Sequence, residues 1–163
     1  MGTSRGPRKW GAAAAAACMA AGVLAGCGAG GPTQKAVIAR GNAICETALR
    51  DARAVPAPAS TGTIELRALV GYLAKIQVIV NHEVAQLEAL PRPGADATTL
   101  DQYLAAMRAA RTEFGQLLAA ARAGDQAKAV RIQAELSASP ATGLARRYGL
   151  IQCSGSGATV GSG

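Results

Sequence analysis

The chain has 163 residues, a formal net charge of +7 and an aromatic content of only 3%. So few aromatic residues exclude a convincing base-stacking platform. Three of the 17 basic residues lie in the first ten positions, and without them 14 basic against 10 acidic residues leave a charge of +4. This mild excess indicates a weak preference for anionic surfaces and is not a nucleic-acid footprint, so we expect no nucleic acid among the partners.

The N-terminus has the order of a secretory signal peptide, in which a basic segment precedes an apolar one. Arg5, Arg8 and Lys9 are followed by the uncharged, alanine-rich residues 11–26. Those 16 residues are fewer than the roughly 20 that a spanning helix needs, and alanine is weakly hydrophobic. We therefore predict that residues 1–26 are a signal peptide and not a permanent transmembrane helix.

The apolar segment ends in Leu24-Ala25-Gly26-Cys27. An aliphatic residue, two small residues and a cysteine at this point resemble the lipobox of bacterial lipoproteins. The resemblance implies a diacylglycerol on the Cys27 sulfur, cleavage before this residue, and a new amine open to further acylation. Each buried methylene contributes about 0.8 kcal/mol, so two or three chains would hold the protein at the outer face of the cytoplasmic membrane. The alternative is ordinary signal cleavage with Cys27 as a bystander.

A short tether follows the cysteine. Residues 28–32 are Gly/Pro-rich and reach at most about 18 Å when fully extended. We therefore expect residues 27–32 to keep the folded domain close to the bilayer, with Lys35 and Arg40 near the lipid headgroups.

Two cysteines remain once Cys18 has left with the signal peptide and Cys27 is acylated. An even pair in an exported domain predicts a disulfide, here between Cys45 and Cys153. Two separate buried thiols are the alternative. Two cysteines and one histidine lack the spacing of a zinc site, so we expect no metal and no cofactor.

Apolar residues recur at steps of three and four along most of the remaining chain, which predicts helices. The predicted helices are 33–55, 63–90, 98–123 and 125–137, followed by a kink at Pro140 or by a short fifth helix to Tyr148. The stripe is clearest in the second helix, at Leu66, Leu69, Leu73, Ile76, Val80, Val84 and Leu87. Thr33 and Asp125 are predicted N-caps, Thr98 with Asp101 resembles a capping box, and Gly124 and Gly149 suit helix ends.

No strand pattern competes with these helices. Four helices with mostly short connections predict an all-α, antiparallel four-helix bundle over residues 33–153, with the last helix broken or kinked near Pro140. The disulfide would join the first helix to the C-terminus. The Gly/Ser-rich residues 154–163 are predicted to be disordered.

Two further segments carry a family resemblance. Asn42-Ala43-Ile44-Cys45 lies in the first helix, and Tyr148-Gly149-Leu150-Ile151-Gln152-Cys153 ends the last one. Together with the lipobox they are similar to a group of small helical actinobacterial lipoproteins. The resemblance covers nearly the whole chain after the signal peptide. It implies a lipid anchor, a disulfide and a helical bundle, but no activity and no catalytic residues.

Residues that could perform chemistry are few. His82 is the only histidine, and a surface position is favoured over metal binding with Glu83 or Gln86. The ten acidic residues are spread over the helices, which indicates solvated faces rather than an acid/base pair. No partners for a catalytic triad stand out, so we expect no enzyme and no catalytic site.

The remaining candidates are apolar. Tyr72 and Ile79 lie two turns apart on one face of the second helix, either as a contact patch or packed under the proline linkers. Tyr103, Met107 and Phe114 would be ordinary core or line a cavity. We therefore expect a membrane-anchored, non-enzymatic binding or scaffolding module that contacts an envelope protein. The alternative is a carrier of a small apolar ligand or lipid, with a pocket inside the bundle.

Overall fold

A computed structural model describes residues 31–58, 65–94 and 97–156, except for the side chain of Ser156. All regular structure in these ranges is helical, which confirms the predicted all-α class. The helices are α1 (Gln34–Arg53), a 3-10 helix (Leu66–Leu69), α2 (Val70–Glu88), α3 (Ala97–Ala123), α4 (Gln126–Ser137), α5 (Ala141–Tyr148) and the short α6 (Cys153–Ser156).

Side-chain caps fix the starts of α1 and α4 as predicted. The Thr33 hydroxyl accepts a hydrogen bond from the Ala36 N–H at 3.3 Å, and the Asp125 carboxylate accepts one from the Lys128 N–H at 3.0 Å. Each bond satisfies one of the amide groups that a helix start leaves without a partner. Gly124, in the left-handed region at φ 72°, ends α3.

Two predicted helix starts are wrong in detail. The second helix begins, within the described residues, as a 3-10 helix, and Glu65 in the preceding cap position makes no side-chain capping bond. Thr98 lies inside α3 and not at its cap. The Asp101 carboxylate instead accepts a hydrogen bond from Arg92 Nε at 2.7 Å, so this acid joins α3 to the loop before it.

The predicted last helix is two helices. Pro140 has no N–H with which to continue the α4 ladder, and the Ser139 hydroxyl accepts a hydrogen bond from the Ala141 N–H at 3.4 Å where α5 begins. The prediction that residues 154–163 are disordered is wrong at its start, because residues 154–156 belong to α6. The rest of that tail lies outside the described residues.

The core is built on the long α3. Its first half packs with α5, α1 and the end of α2, in a cluster that includes Leu100, Tyr103, Leu104, Leu144, Ala145, Tyr148, Leu87, Val37 and Cys45. Its second half packs on α2 through Phe114, Leu118 and Ala121 against Leu73 and Ile76, and on α4 through Ala120 against Ala129 and Ile132. Two successive short helices therefore cover two successive parts of α3.

Candidate functional site

The predicted lipidation site, Cys27, and the signal peptide lie outside the described residues, so both stay predictions. Among the helices that are described, none is both long enough and apolar enough to cross a membrane.

The predicted disulfide is present. Cys45 on α1 is bonded to Cys153 at the start of α6, with their Cα atoms 5.0 Å apart. Asn42, one turn before Cys45, adds two hydrogen bonds to the same segment. Its Nδ2 donates to the Gly149 carbonyl at 3.2 Å, and its Oδ1 accepts from the Gln152 N–H at 2.9 Å. We call this set of contacts the C-terminal clasp.

Two glycines allow the clasp to form. Gly149 has φ 99°, a conformation that side chains disfavour, and its N–H and that of Leu150 both bond to the Ala145 carbonyl at the end of α5. Gly41 on α1 lies directly under Leu150, which is fully buried. The two sequence segments that carry the family resemblance therefore meet in the fold.

The predicted contact patch lines a groove between α1 and α2. Tyr72 and Ile79 are both half-buried, and both line a cavity of about 230 Å³. Val55 and Ala57, from the proline-containing segment that follows α1, line the same cavity. Tyr72 and Ile79 therefore lie beside the segment that follows α1, and their role as a contact patch stays a prediction.

A second cavity of about 190 Å³ adjoins the first. Both cavities are lined by Ala48, Ile79 and Glu83. Ala48 and Ala52 on α1 are short, and larger side chains on α2 face them, so the two helices leave space between them. We call the two cavities together the α1–α2 groove.

The two cavities differ in the side chains that line them. The larger is walled mostly by aliphatic side chains of both helices and by Tyr72, with Arg53 as its exposed cation. The smaller contains the hydroxyl of Thr47, the amide of Gln86 and the carboxylate of Asp51, which pairs with Arg50 at 3.3 Å. Ile44 and Val78 also line the smaller cavity, so both parts of the groove combine apolar and polar side chains.

Glu83 is an exception to the expectation that the acidic residues lie on solvated faces. It is 6% exposed, and it is the only charged side chain among the buried residues that the structure describes. A buried carboxylate costs free energy because it loses hydration, which makes such a position unusual. Sequence reasoning missed it, although a signal exists: Glu83 follows Val80 by three residues and precedes Leu87 by four, on the apolar stripe.

The charge of Glu83 affects the pKa of a tyrosine in the core. Burial raises the pKa of the Tyr103 phenol well above its ordinary value, and the nearby Glu83 carboxylate raises this pKa further. The Tyr103 hydroxyl is buried and has no hydrogen-bond partner among the described residues. Tyr103 and Phe114 belong to the core and line neither cavity of the groove.

His82 lies on the surface, as predicted. Its side chain is exposed, its Nε2 is 3.4 Å from Gln86 Nε2, and it lines the smaller cavity of the groove. Across the described ranges, no three His, Cys, Asp or Glu residues are grouped so that they could hold a metal ion.

No family, no curated protein and no solved structure matches the chain.

Proposed function

We propose that the protein is a lipid-anchored, non-enzymatic binding module of the cell envelope. Acyl chains on Cys27 hold it at the outer face of the cytoplasmic membrane, and the α1–α2 groove is its binding site. The observation that carries the proposal is the groove itself, in which the half-buried side chains of Tyr72 and Ile79 help to line a solvent-accessible cavity.

The position of the groove along α1 suits an anchored protein. The tether ends where α1 begins, at Gln34. At about 1.5 Å per residue, Ala48 lies about 20 Å further along the helix. The groove therefore lies away from the tethered end of α1. At this distance it is accessible to another envelope component.

We also propose that the helices form an antiparallel four-helix bundle in which α4 and α5 together take the place of the fourth helix. The contacts of α4 with the second half of α3, and of α5 with its first half, support this arrangement. The clasp then fastens the end of the last helix to α1.

The anchor is tested by labelling cells with a palmitate analogue and measuring the mass of the purified protein. We expect the native product to begin at Cys27, to carry lipid and to fractionate with membranes. Cys27→Ala should abolish the label, whereas Cys18→Ala, its matched control, should retain it. A native product that begins at another residue, or that stays wholly in the aqueous phase of a detergent partition, contradicts the anchor.

The binding site is tested by photo-crosslinking in intact cells. A photoreactive amino acid at Tyr72 or Ile79 should give a reproducible adduct with an envelope component. The same group at Val130, which is exposed on α4 and remote from the groove, should not. Equal adducts from all three positions, or none from the groove, would remove the groove as the binding site.

A carrier of a small apolar ligand is the second candidate. The aliphatic wall of the larger cavity favours it, with Leu49, Ile76 and Val80 among the lining residues. It ranks second because the volume, about 230 Å³, is below the roughly 300 Å³ at which ordinary ligand pockets begin. Native mass spectrometry of protein released gently from membranes would reveal a co-purified ligand of defined mass if this candidate is correct.

A further inference from the structure

We propose that the end of the molecule at which α1 begins and α5 ends, which we call the clasp end, docks on a membrane surface that carries anionic phospholipids. The docking residues are Lys35, Arg40, Arg146, Arg147 and Ile151. This proposal rests on the proposed lipid anchor, which brings the clasp end to the bilayer, and it adds the orientation of the domain and the kind of lipid that it contacts.

The clasp places the end of α5 beside the first turns of α1. A Cβ built on Gly149 would lie 3.0 Å from Ile38 Cδ1, and Asn42 binds both the Gly149 carbonyl and the Gln152 N–H. Ile38 is four residues after Gln34, which is about 6 Å along the helix. The turn after α5 therefore lies at the same end of the molecule as the predicted tether.

Basic residues without acidic neighbours in sequence meet at the clasp end. Residues 31–45 and 141–156 contain no Asp or Glu, and their four basic residues are all exposed. None of the four forms an ion pair with another residue that the structure describes, whereas Arg92, in the loop before α3, is paired with Asp101. Asp96 in the same loop lies outside the described residues, and this one acid would still leave an excess of positive charge.

Helix stability explains only part of this charge. Arg146 and Arg147 lie in the last turn of α5, where cations interact favourably with the negative end of the helix dipole. Lys35 lies in the first turn of α1, at the positive end, where a cation is disfavoured. Arg40 is five residues after Lys35, about 140° around the helix, so the two do not share one face of α1. What the four residues share is one end of the molecule, which suits an end-on contact with a flat surface.

Ile151 gives the clasp end an apolar contact. Its side chain is 59% exposed in the turn between α5 and α6. Its neighbours are held by the clasp, since Leu150 is fully buried and the Gln152 N–H is bonded to α1. A single exposed apolar residue is common on protein surfaces. Ile151, however, follows Arg146 and Arg147 within five residues, and apolar area combined with basic charge is what binds the interface of anionic membranes.

The tether makes a weak surface sufficient. Acyl chains on Cys27 would already hold the protein on the membrane, so docking is an intramolecular step at a high effective concentration. Each basic residue near an anionic surface contributes a factor of about five to binding, and this attraction falls off within about 8 Å at physiological ionic strength. Residues 28–32, which reach at most about 18 Å, allow the clasp end to come that close. The clasp end therefore orients the domain, while the acyl chains retain it.

The test uses the native protein in nanodiscs of phosphatidylcholine, either alone or mixed with phosphatidylglycerol. A nitroxide on the lipid headgroups broadens the methyl NMR signals of residues that approach the surface. We expect it to broaden the Ile151 signal more in anionic than in neutral nanodiscs, and more than the signal of Val130, which is exposed on α4. High salt should remove the difference, because it screens the charges. Equal broadening of Ile151 in both lipid compositions, or of Ile151 and Val130 in the anionic one, overturns the proposal.

Two charge variants locate the docking residues. Arg146→Gln with Arg147→Gln should lower the ratio of docked to undocked protein by up to about 25-fold, a factor of about five for each residue, and the broadening at Ile151 should fall with it. Arg122→Gln with Lys128→Gln removes the same charge at the far end of α3, about 37 Å from its start, and should leave the broadening unchanged. All four positions are exposed, so both variants should keep the fold. Equal effects of the two pairs overturn the proposal.

A soluble polyanion distinguishes a lipid surface from an acidic protein. Polyglutamate, added to the protein in neutral nanodiscs, should shift the Ile151 methyl signal less than phosphatidylglycerol does. A larger shift would assign the clasp end to an acidic protein and overturn the proposal.

The anchor is judged separately, by the mass of the native product. If this product carries lipid but Ile151 does not respond to phosphatidylglycerol, the present inference fails and the proposed function stands. If the product carries no lipid, it is added to the same nanodiscs from solution. A salt-sensitive response of Ile151 then supports the clasp end although the proposed anchor fails, and no response overturns both.

Discussion

Replacing Gly41 by alanine tests the closest packing in the clasp. A Cβ built on Gly41 would overlap Leu150 Cδ2 and lie 3.5 Å from Leu90 Cδ1. Leu150 is fully buried, so its side chain cannot move into solvent. Overpacking of this kind costs about 1–3 kcal/mol, while alanine in a helix interior gains about 1 kcal/mol over glycine. We therefore expect the free energy of unfolding to fall by up to about 2 kcal/mol.

Gly115→Ala is the matched control. Gly115 also lies inside a long helix, but the nearest atom to its added Cβ would be Gln77 Oε1 at 3.5 Å, an ordinary contact. Only the gain in helix propensity should remain, which raises the free energy of unfolding by about 1 kcal/mol. Urea unfolding followed by circular dichroism, with the disulfide intact, measures both variants. Their difference isolates the packing cost at Gly41.

A double-mutant cycle with Leu150→Ala identifies the neighbour responsible. Once Leu150 is shortened, the methyl group at Gly41 has space, and Gly41→Ala should then stabilise the protein by up to about 1 kcal/mol. The sign of its effect should therefore reverse between the two backgrounds. If Gly41→Ala stabilises the otherwise unchanged protein as much as Gly115→Ala does, Leu150 does not pack on α1 as described and the reasoning is refuted.

Three further perturbations address the clasp and the core. Changing Cys45 and Cys153 together to serine should lower the free energy of unfolding by up to about 4.7 kcal/mol, because the bond closes a loop with a sequence separation of 108; a loss below about 1 kcal/mol in urea unfolding would contradict this. Asn42→Ala removes two hydrogen bonds and should cost about 1–3 kcal/mol in the same assay, and unchanged stability would show that these bonds contribute nothing. Because the pKa of Tyr103 is raised in the folded state, its stabilising effect is complete below about pH 10 and declines as the pH rises further, at up to about 1.4 kcal/mol per pH unit. Tyr103→Phe should remove this part of the alkaline decline in unfolding free energy, and equally steep declines in both proteins would contradict the burial of the phenol.

Local sequence signals predicted most of the helical structure because they act within a few residues. The caps at Thr33 and Asp125 and the glycine at the end of α3 each determine one helix end. The missing N–H of Pro140 predicts a break in the helix. It does not predict whether the break is a kink or the start of a new helix, which the structure shows to be α5. The start of the second helix had no side-chain cap to mark it, and its position was predicted wrongly.

The disulfide was predictable from counting, but the clasp around it was not. Cys45 and Cys153 were the two cysteines left for pairing. The role of Asn42 depends on how α5 ends, since its amide reaches a carbonyl that only the turn at Gly149 presents. A contact across more than a hundred residues depends on the tertiary fold, which no local pattern specifies.

In the groove, helical spacing predicts correctly which residues share a side of α2, but residue type predicts the wrong environment for one of them. Tyr72, Ile79 and Glu83 are separated by seven and four residues, so a helix places them on one side. The sequence pattern groups Tyr72 with Ile79. It does not include Glu83, because charged residues are expected on solvated faces. Ala48 on α1 is too small to fill the space between α1 and α2. Cavities therefore remain beside Ile79 and Glu83. The Glu83 carboxylate at this position is desolvated by its neighbours, whereas the side chain of His82, the residue before it, is exposed.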